Sequence, residues 1–450
     1  MRLRRPERGV VRMTKRAIVI GAGFAGVEAS MQLAKRGIEV HLYEMKPVRF
    51  SPAHKNVNFA ELVCSNSFKA QRVDSAAGLM KEEMTRFDSV CVRCAKKCSV
   101  PAGGSLSVDR EQFSQMVTDE VERCENIIIH REEVLDLPKV GEDADAVIVA
   151  AGPLVSDALT KKIEEFCGAS LHFFDAAAPI VAGDSIDMNY AFAASRYDHG
   201  DDDYINCPMN KEEYEAFYEA LVNAEGAPQH DFDKKKTGYE GCMPIEVMAN
   251  RGIDTMRFGP LKPVGLRDPR TGHRPWACLQ LRRETKDGEM FNLVGFQTNL
   301  KFGEQKRVFS MIPALHDAEF LRYGVMHRNT FINSPKLLGP DYQFKAVPGL
   351  FFAGQITGVE GYMESAQSGI LAGINAANFI NGEAPFVLPN ITMMGALAKY
   401  ISDESVENFQ PMGANFGVLP PIEPHIRDKK ERYAALAQRS LDFFDKEEEA

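Results

Sequence analysis

The chain has 450 residues, 44% apolar and 26% charged, enough for two or three folded units with sizeable cores. No apolar run approaches the ~20 residues that cross a bilayer, which argues against a membrane span. A net charge of −10 argues against general nucleic-acid affinity, and nine scattered cysteines without a secretion signal point to reduced thiols in a cytoplasm, not a disulfide framework.

Arg2, Arg4, Arg5, Arg8, Arg12, Lys15 and Arg16 crowd a start that has no apolar segment, so residues 1–14 read as a disordered basic lead-in and not as a signal peptide. Ala17 to Ile20 then forms a strand that enters Gly21-Ala22-Gly23-Phe24-Ala25-Gly26. A helix from Phe24 to Arg36 is stopped by Gly37, and a second strand, Ile38 to Tyr43, ends on Glu44. In such a unit Gly21 makes the tight turn, Gly23 lets a pyrophosphate approach the backbone, and Gly26 lets helix and strand pack closely. The pyrophosphate sits on the positive end of the helix dipole. Glu44 can accept hydrogen bonds from ribose hydroxyls and repels a 2′-phosphate, so FAD or NAD is expected here and NADP is disfavoured.

Farther on, Glu61-Leu62-Val63-Cys64-Ser65-Asn66-Ser67 places a thiol among polar neighbours. Cys91, Cys94 and Cys98 fall at helical spacing on one apolar face and lack a nearby fourth ligand, so no metal site is expected. Asp145 to Pro153 reads as a buried parallel strand ending in a glycine turn. Between residues 181 and 329 the composition shifts to Tyr, Pro and charge. That stretch holds Gly241-Cys242-Met243-Pro244 and, from Arg251 to Arg307, twelve Lys and Arg against six Asp and Glu. This segment is a solvated mixed-charge face or a surface for RNA phosphates, with Arg282 and Arg283 as test positions.

Gly349 to Gln355 is another strand and turn. It leads through Gly354, Gly358, Gly361 and Tyr362 into a small-residue helix, Ser365 to Asn378, whose N-terminus suits a flavin. Two such segments some three hundred residues apart imply one discontinuous nucleotide-binding domain, 15–180 with 330–440, an insertion at 181–329, and an acidic tail at 441–450. Asp428 to Ala450 is expected to be a charged amphipathic helix. No second G-x-G-x-x-G is present, so NAD(P)H has no fold of its own and visits transiently.

Several segments, taken in order, closely resemble the folate- and FAD-dependent tRNA (uracil-5-)-methyltransferases, the TrmFO family related to the GidA and MnmG flavoproteins. They are Gly21 to Gly26, Phe59 to Ser67, Val100 to Gly104, Asp175 to Val181, Asp203 to Met209, Glu240 to Ala249, Tyr323 to Phe331, Gly358 to Ser365 and Phe409 to Met412. The resemblance implies an α/β fold: a glutathione-reductase-type FAD-binding Rossmann domain, discontinuous, with an inserted α/β domain. It also implies methylation of C5 of a T-loop uridine (position 54) in tRNA, with carbon from 5,10-methylenetetrahydrofolate and electrons from NAD(P)H through FAD. By the same resemblance Cys242 is the thiolate that adds to uracil C6, and Cys64 is a second thiol on the flavin side.

For the base that takes the C5 proton, Glu61, Glu246, Tyr362 and Glu364 all stay open, and Tyr362 is also a stacking candidate for the flavin or a substrate ring. The rival readings are a ribosomal RNA uracil methyltransferase, a GidA-like wobble-uridine flavoprotein (a family with a longer C-terminal region), a disulfide reductase using Cys91 and Cys94, an RNA-binding flavoprotein without catalysis, and a SAM enzyme.

Overall fold

A computed structural model describes residues 15–168, 170–176, 178–198, 202–227, 243–284, 288–324, 326–406 and 409–449. The basic lead-in, 1–14, lies outside them.

The strand Arg16–Ile20 is apolar on both faces because it is central. It pairs in parallel with Glu39–Tyr43 on one side and Ala146–Val149 on the other. Ile127–His130 and Leu350–Phe352 complete a five-stranded parallel sheet at its two edges. Strand order reverses at Arg16–Ile20, which opens a crevice at the carboxyl ends of the strands. The helix Phe24–Lys35 ends at Arg36 and Gly37, whose φ of +73° halts it.

The helix expected from Ser365 is longer, Tyr362–Asn381, because Gly361 (φ +125°) and Gly382 (φ +73°) punctuate it. Its small residues serve contact with the first helix. A Cβ on Gly369 would lie 2.1 Å from the Ala25 carbonyl oxygen, and one on Gly373 2.7 Å from that of Ala29. Strands from both ends of the sequence therefore share one sheet, and helices from both ends pack backbone to backbone.

The chain leaves and re-enters this body through a two-stranded antiparallel ribbon, Ser170–Ala176 against Met326–Ile332. Between them lies a six-stranded antiparallel sheet, ordered Phe192–Ala193, Tyr204–Met209, Ala277–Arg283, Met290–Leu293, Ile180–Ala182 and Phe320–Arg322. The helix Lys211–Val222, opened by a capping box of Asn210 and Glu213, packs on it, and Phe302–Phe309 packs against that helix. The principal buried apolar residues form two clusters. One is drawn from 17–163 and 331–444, the other from 181–318.

Cys91, Cys94 and Cys98 sit on the helix Val90–Lys97 and its C-cap, fully inside the first cluster. The C-terminal helix runs Lys429–Glu449, so the acidic residues expected as a tail are its last turns, and Leu436, Ala437 and Phe444 seat it on the main body. Among the described residues no helix is long and apolar enough to cross a membrane.

Candidate functional site

The glycine turn is built as its residue types require. Gly21 adopts φ +97° and donates its N–H to the Tyr43 carbonyl at 2.7 Å, which ties the turn to the neighbouring strand. A Cβ on Gly26 would lie 1.7 Å from the Gly21 carbonyl oxygen, whereas one on Gly23 would meet nothing within 4 Å. Gly26 is therefore a packing position and Gly23 an opening. Gly23 caps the helix without a side-chain bond, leaving the first N–H groups for a ligand. Buried Glu44 accepts from the Ala22 N–H and the Lys46 N–H, both at 3.0 Å, so its carboxylate is fixed beside the turn.

A cleft of about 1290 Å³, mouth included, runs from Tyr43, Glu44 and Glu132 past Gly21, Ala22, Gly23, Phe24 and Ala25 to Cys64, Gly354 and Tyr362. Gly26, Gly358 and Gly361 do not line it. The space above Gly358 is filled by the Phe409 ring, 2.4 Å from where a Cβ would sit, and that above Gly361 by the Glu364 carboxylate at 2.1 Å.

At the far end of the cleft the Tyr362 ring lies 4.9 Å from that of Phe24, centroid to centroid. Its hydroxyl accepts from the N–H groups of Val63 (2.8 Å) and Cys64 (2.9 Å) and sits 3.1 Å from Cys64 Sγ. Burial first, then the neighbouring Cys64, pushes this phenol well above its usual pKa, so it is held neutral. The Cys64 loop is clamped by three arginines from three different elements. Arg110 donates to the carbonyls of Leu62 (3.0 Å) and Val63 (3.2 Å), Arg322 also to Val63, and Arg282 to Asn66 Oδ1 (2.8 Å) and Ser65 Oγ (2.7 Å). One carboxylate, Glu284, pairs with Arg110. Three guanidiniums against one carboxylate give this end of the cleft a field that favours anions.

Arg282 needs correcting as a candidate RNA contact. It is 8% exposed and bonded to Asn66 and Ser65, because its strand lies inside the antiparallel sheet and against the Cys64 loop. Arg283 beside it is half-buried.

The carboxylates weighed as bases are all engaged. Glu61 accepts from the N–H groups of Lys55 (2.8 Å) and Asn56 (3.0 Å) and pairs with Lys46. Glu246 holds Thr298 Oγ1 (2.9 Å) and the Asn299 N–H (2.8 Å). Glu364, buried, pairs with Lys69 and accepts from the Ala414 N–H. Cys242 lies outside the described residues. The chain resumes at buried Met243, and the short helix Ile245–Ala249 is anchored by the Ile245 N–H on the Gln297 carbonyl at 2.7 Å.

Sequence reasoning missed Arg110, Arg322, Lys46 and His54. His54 lines the cleft with Nδ1 2.6 Å from Ser51 Oγ, and burial holds its pKa below the usual value. No local motif marks these residues. The disulfide-reductase pair is not activated: burial pushes the Cys94 thiol up to about 12 and the Cys91 thiol well above its ordinary range.

The family model described as glucose inhibited division protein A matches residues 16–384. A methylenetetrahydrofolate–tRNA-(uracil-5-)-methyltransferase TrmFO from Acetivibrio thermocellus is 58% identical over 94% of this chain and 96% of its own. The protein of the same name from Enterococcus faecalis is 55% identical over 96% of this chain and 98% of its own. This chain belongs to the TrmFO family. Among solved structures, GidA of Aquifex aeolicus aligns with a TM-score of 0.68 over 96% of this chain and 73% of that one. At 17% identity the TrmFO chain and GidA share a fold.

Proposed function

We propose that this TrmFO chain methylates C5 of the T-loop uridine of tRNA, taking carbon from 5,10-methylenetetrahydrofolate and electrons from NAD(P)H through bound FAD, in the cytoplasm. What carries the reading is one continuous cleft, with an open Gly23 and a fixed Glu44 at one end and Cys64 under three arginines at the other. These residues fit FAD. Gly23 leaves room for the pyrophosphate at a helix N-terminus, Glu44 meets the ribose, and the arginine end is suited to an electron-rich ring. When bound, the flavin supplies the redox chemistry between nicotinamide, folate and substrate.

The protein's own part is nucleophilic and electrostatic. Uracil C5 is a poor nucleophile, so we assign Cys242 the addition to C6. The new S–C6 bond makes C5 an enolate carbon, and the bond breaks again once C5 has gained its carbon and lost its proton. Arg110, Arg282 and Arg322 hold the Cys64 loop and offset negative charge there. We read 15–180 with 330–440 as the FAD-binding domain and 181–329 as the insertion, in keeping with the two apolar clusters.

The test is transfer of label from the methylene carbon of methylenetetrahydrofolate, with FAD and NADPH and without SAM, to unmodified tRNA and ribosomal RNA transcripts. Label in T-loop 5-methyluridine is expected. Label only in ribosomal RNA selects the other substrate, and none in either overturns the reading. Cys242→Ala should retain yellow, bound FAD and yield no methylated tRNA.

A further inference from the structure

Residues 251–276 form a loop whose charge opposes that of the chain. It carries six Lys and Arg against two Asp, in a protein of net charge −10. Both carboxylates are spent inside the loop, Asp254 on Arg257 and Asp268 on Arg270. Lys262, Arg267 and Arg274 are exposed and make no ion pair among the described residues. Arg267 and Arg274 flank a turn closed by the Asp268 N–H on the His273 carbonyl at 2.9 Å.

Two aromatic rings share this loop. Trp276 is 37% exposed, with the Arg257 guanidinium stacked 3.8 Å from its centroid. Phe258 is 85% exposed, yet its backbone is tied down by hydrogen bonds. The turn Thr255–Phe258 is fixed by the N–H groups of Gly259 and Leu261 on the Met256 carbonyl, and Met256 itself is fully buried. A hydrogen-bonded turn that holds a phenyl ring in water forgoes burial energy, and the exposed cations of the same loop point to what the ring meets. The Arg257 Nε bond to the Trp276 carbonyl (3.0 Å) and the Cys278 N–H bond to the Leu261 carbonyl (3.1 Å) join the two halves into one surface.

We propose that this surface is where RNA docks, with Lys262, Arg267 and Arg274 on backbone phosphates and Phe258 stacked on an unpaired base. Cations interleaved with exposed rings match the two chemistries of a folded RNA, phosphate charge and base faces. An acidic protein would match the charge but offers no base faces for the exposed Phe258 and Trp276 rings. The inference rests on the RNA-methyltransferase reading above and adds the location of the contact.

The experiment measures binding of a tRNA transcript to the full-length FAD-loaded enzyme across a series of KCl concentrations. Lys262→Ala/Arg267→Ala/Arg274→Ala should weaken binding about tenfold or more and reduce the salt slope by about 2 to 3, roughly 0.7–0.9 per lost phosphate contact. Phe258→Ala should weaken binding about tenfold, in line with the loss of one stacked base, and leave that slope in place. A control triple, Lys161→Ala/Lys430→Ala/Lys446→Ala, removes equal charge elsewhere and should leave the affinity within about twofold.

If the loop triple binds tRNA like the wild type, or the control triple loses as much, the surface is wrong while the methyltransferase reading stands. If the wild type transfers no label to tRNA, that reading itself fails. Dimerisation of the wild type that Phe258→Ala abolishes would assign the ring to a second copy of the chain and overturn its role on RNA.

Discussion

At the residue scale the glycine turn separates two kinds of glycine that look alike in a motif. Gly23→Ala meets no atom and sits at φ −75°, which alanine accepts. Thermal unfolding of the FAD-free protein should be unchanged or slightly later, while the flavin dissociation constant rises at least about tenfold, as a methyl group occupies the pyrophosphate seat. Gly26→Ala should do the reverse in kind, destabilising the fold itself by about 1 to 3 kcal/mol, because the new methyl must push the Gly21 carbonyl away. Calorimetry of the FAD-free variants distinguishes the two. Glu44→Gln should cost about 1.5 to 3 kcal/mol of FAD affinity in a fluorescence titration, the worth of a charge-assisted hydrogen bond. The turn, packing and opening positions of Gly21, Gly26 and Gly23 and the placement of Glu44 beside them were legible beforehand, because a turn, a helix start and a strand end lie within thirty residues. Arg110 and Arg322 were not, since each reaches the Cys64 loop from an element far away in sequence. The burial of Arg282, a test position, was not legible either, because charge counting cannot tell a solvated arginine from one pointing into a domain contact.

At the element scale two helices are opened by buried carboxylates borrowed from others. Glu28 on the first helix accepts from Ser89 and from the N–H groups of Val90 and Cys91, at the start of Val90–Lys97. Glu83, on the helix Ala76–Thr85, accepts from the N–H groups of Met393 (2.7 Å) and Met394 (2.8 Å) and from Ser440 Oγ (2.6 Å), joining three helices. Burial raises the Glu83 pKa from 4.5 to about 7, against the opposing pull of those donors. The folded state therefore binds the proton more tightly than the unfolded chain. The contribution of Glu83 to stability falls as pH rises from 4.5 to about 7, by an amount on the order of 3 kcal/mol. Across that window the unfolding midpoint of Glu83→Gln should gain on that of the wild type. A difference independent of pH would mean that Glu83 stays charged. Helix extents were readable from glycine punctuation and apolar spacing, and Cys91, Cys94 and Cys98 were rightly placed on an apolar helix face. The partner of each helix was not readable, because a cap from a distant carboxylate leaves no local sequence trace.

At the scale of the whole molecule the Cys64 end of the candidate site lies where the two apolar clusters meet. Arg282 and Arg283 from the inserted sheet hold Ser65 and Asn66 of the nucleotide-binding body, and Tyr204 reaches back to the Ala102 carbonyl at 3.1 Å. Arg282→Ala should lower the unfolding midpoint by several degrees, about 1 to 3 kcal/mol for stranded buried partners, without changing the salt slope of RNA binding. A changed slope would return Arg282 to the RNA surface. The backbone-tight union of Phe24–Lys35 with Tyr362–Asn381 carries a different consequence, for the order in which the protein is made. The inserted sheet is complete once residue 322 has been synthesised, while the first helix still waits for Gly369 and Gly373. Counted from the synthesis of Ala25 and Ala29 themselves, 344 residues before Gly369 and Gly373, that wait is roughly 17 to 70 s at about 5–20 residues per second. The guest thus matures on the ribosome before its host, and for that interval Ala25 and Ala29 line an unfilled groove that a chaperone or a neighbouring nascent chain can find first.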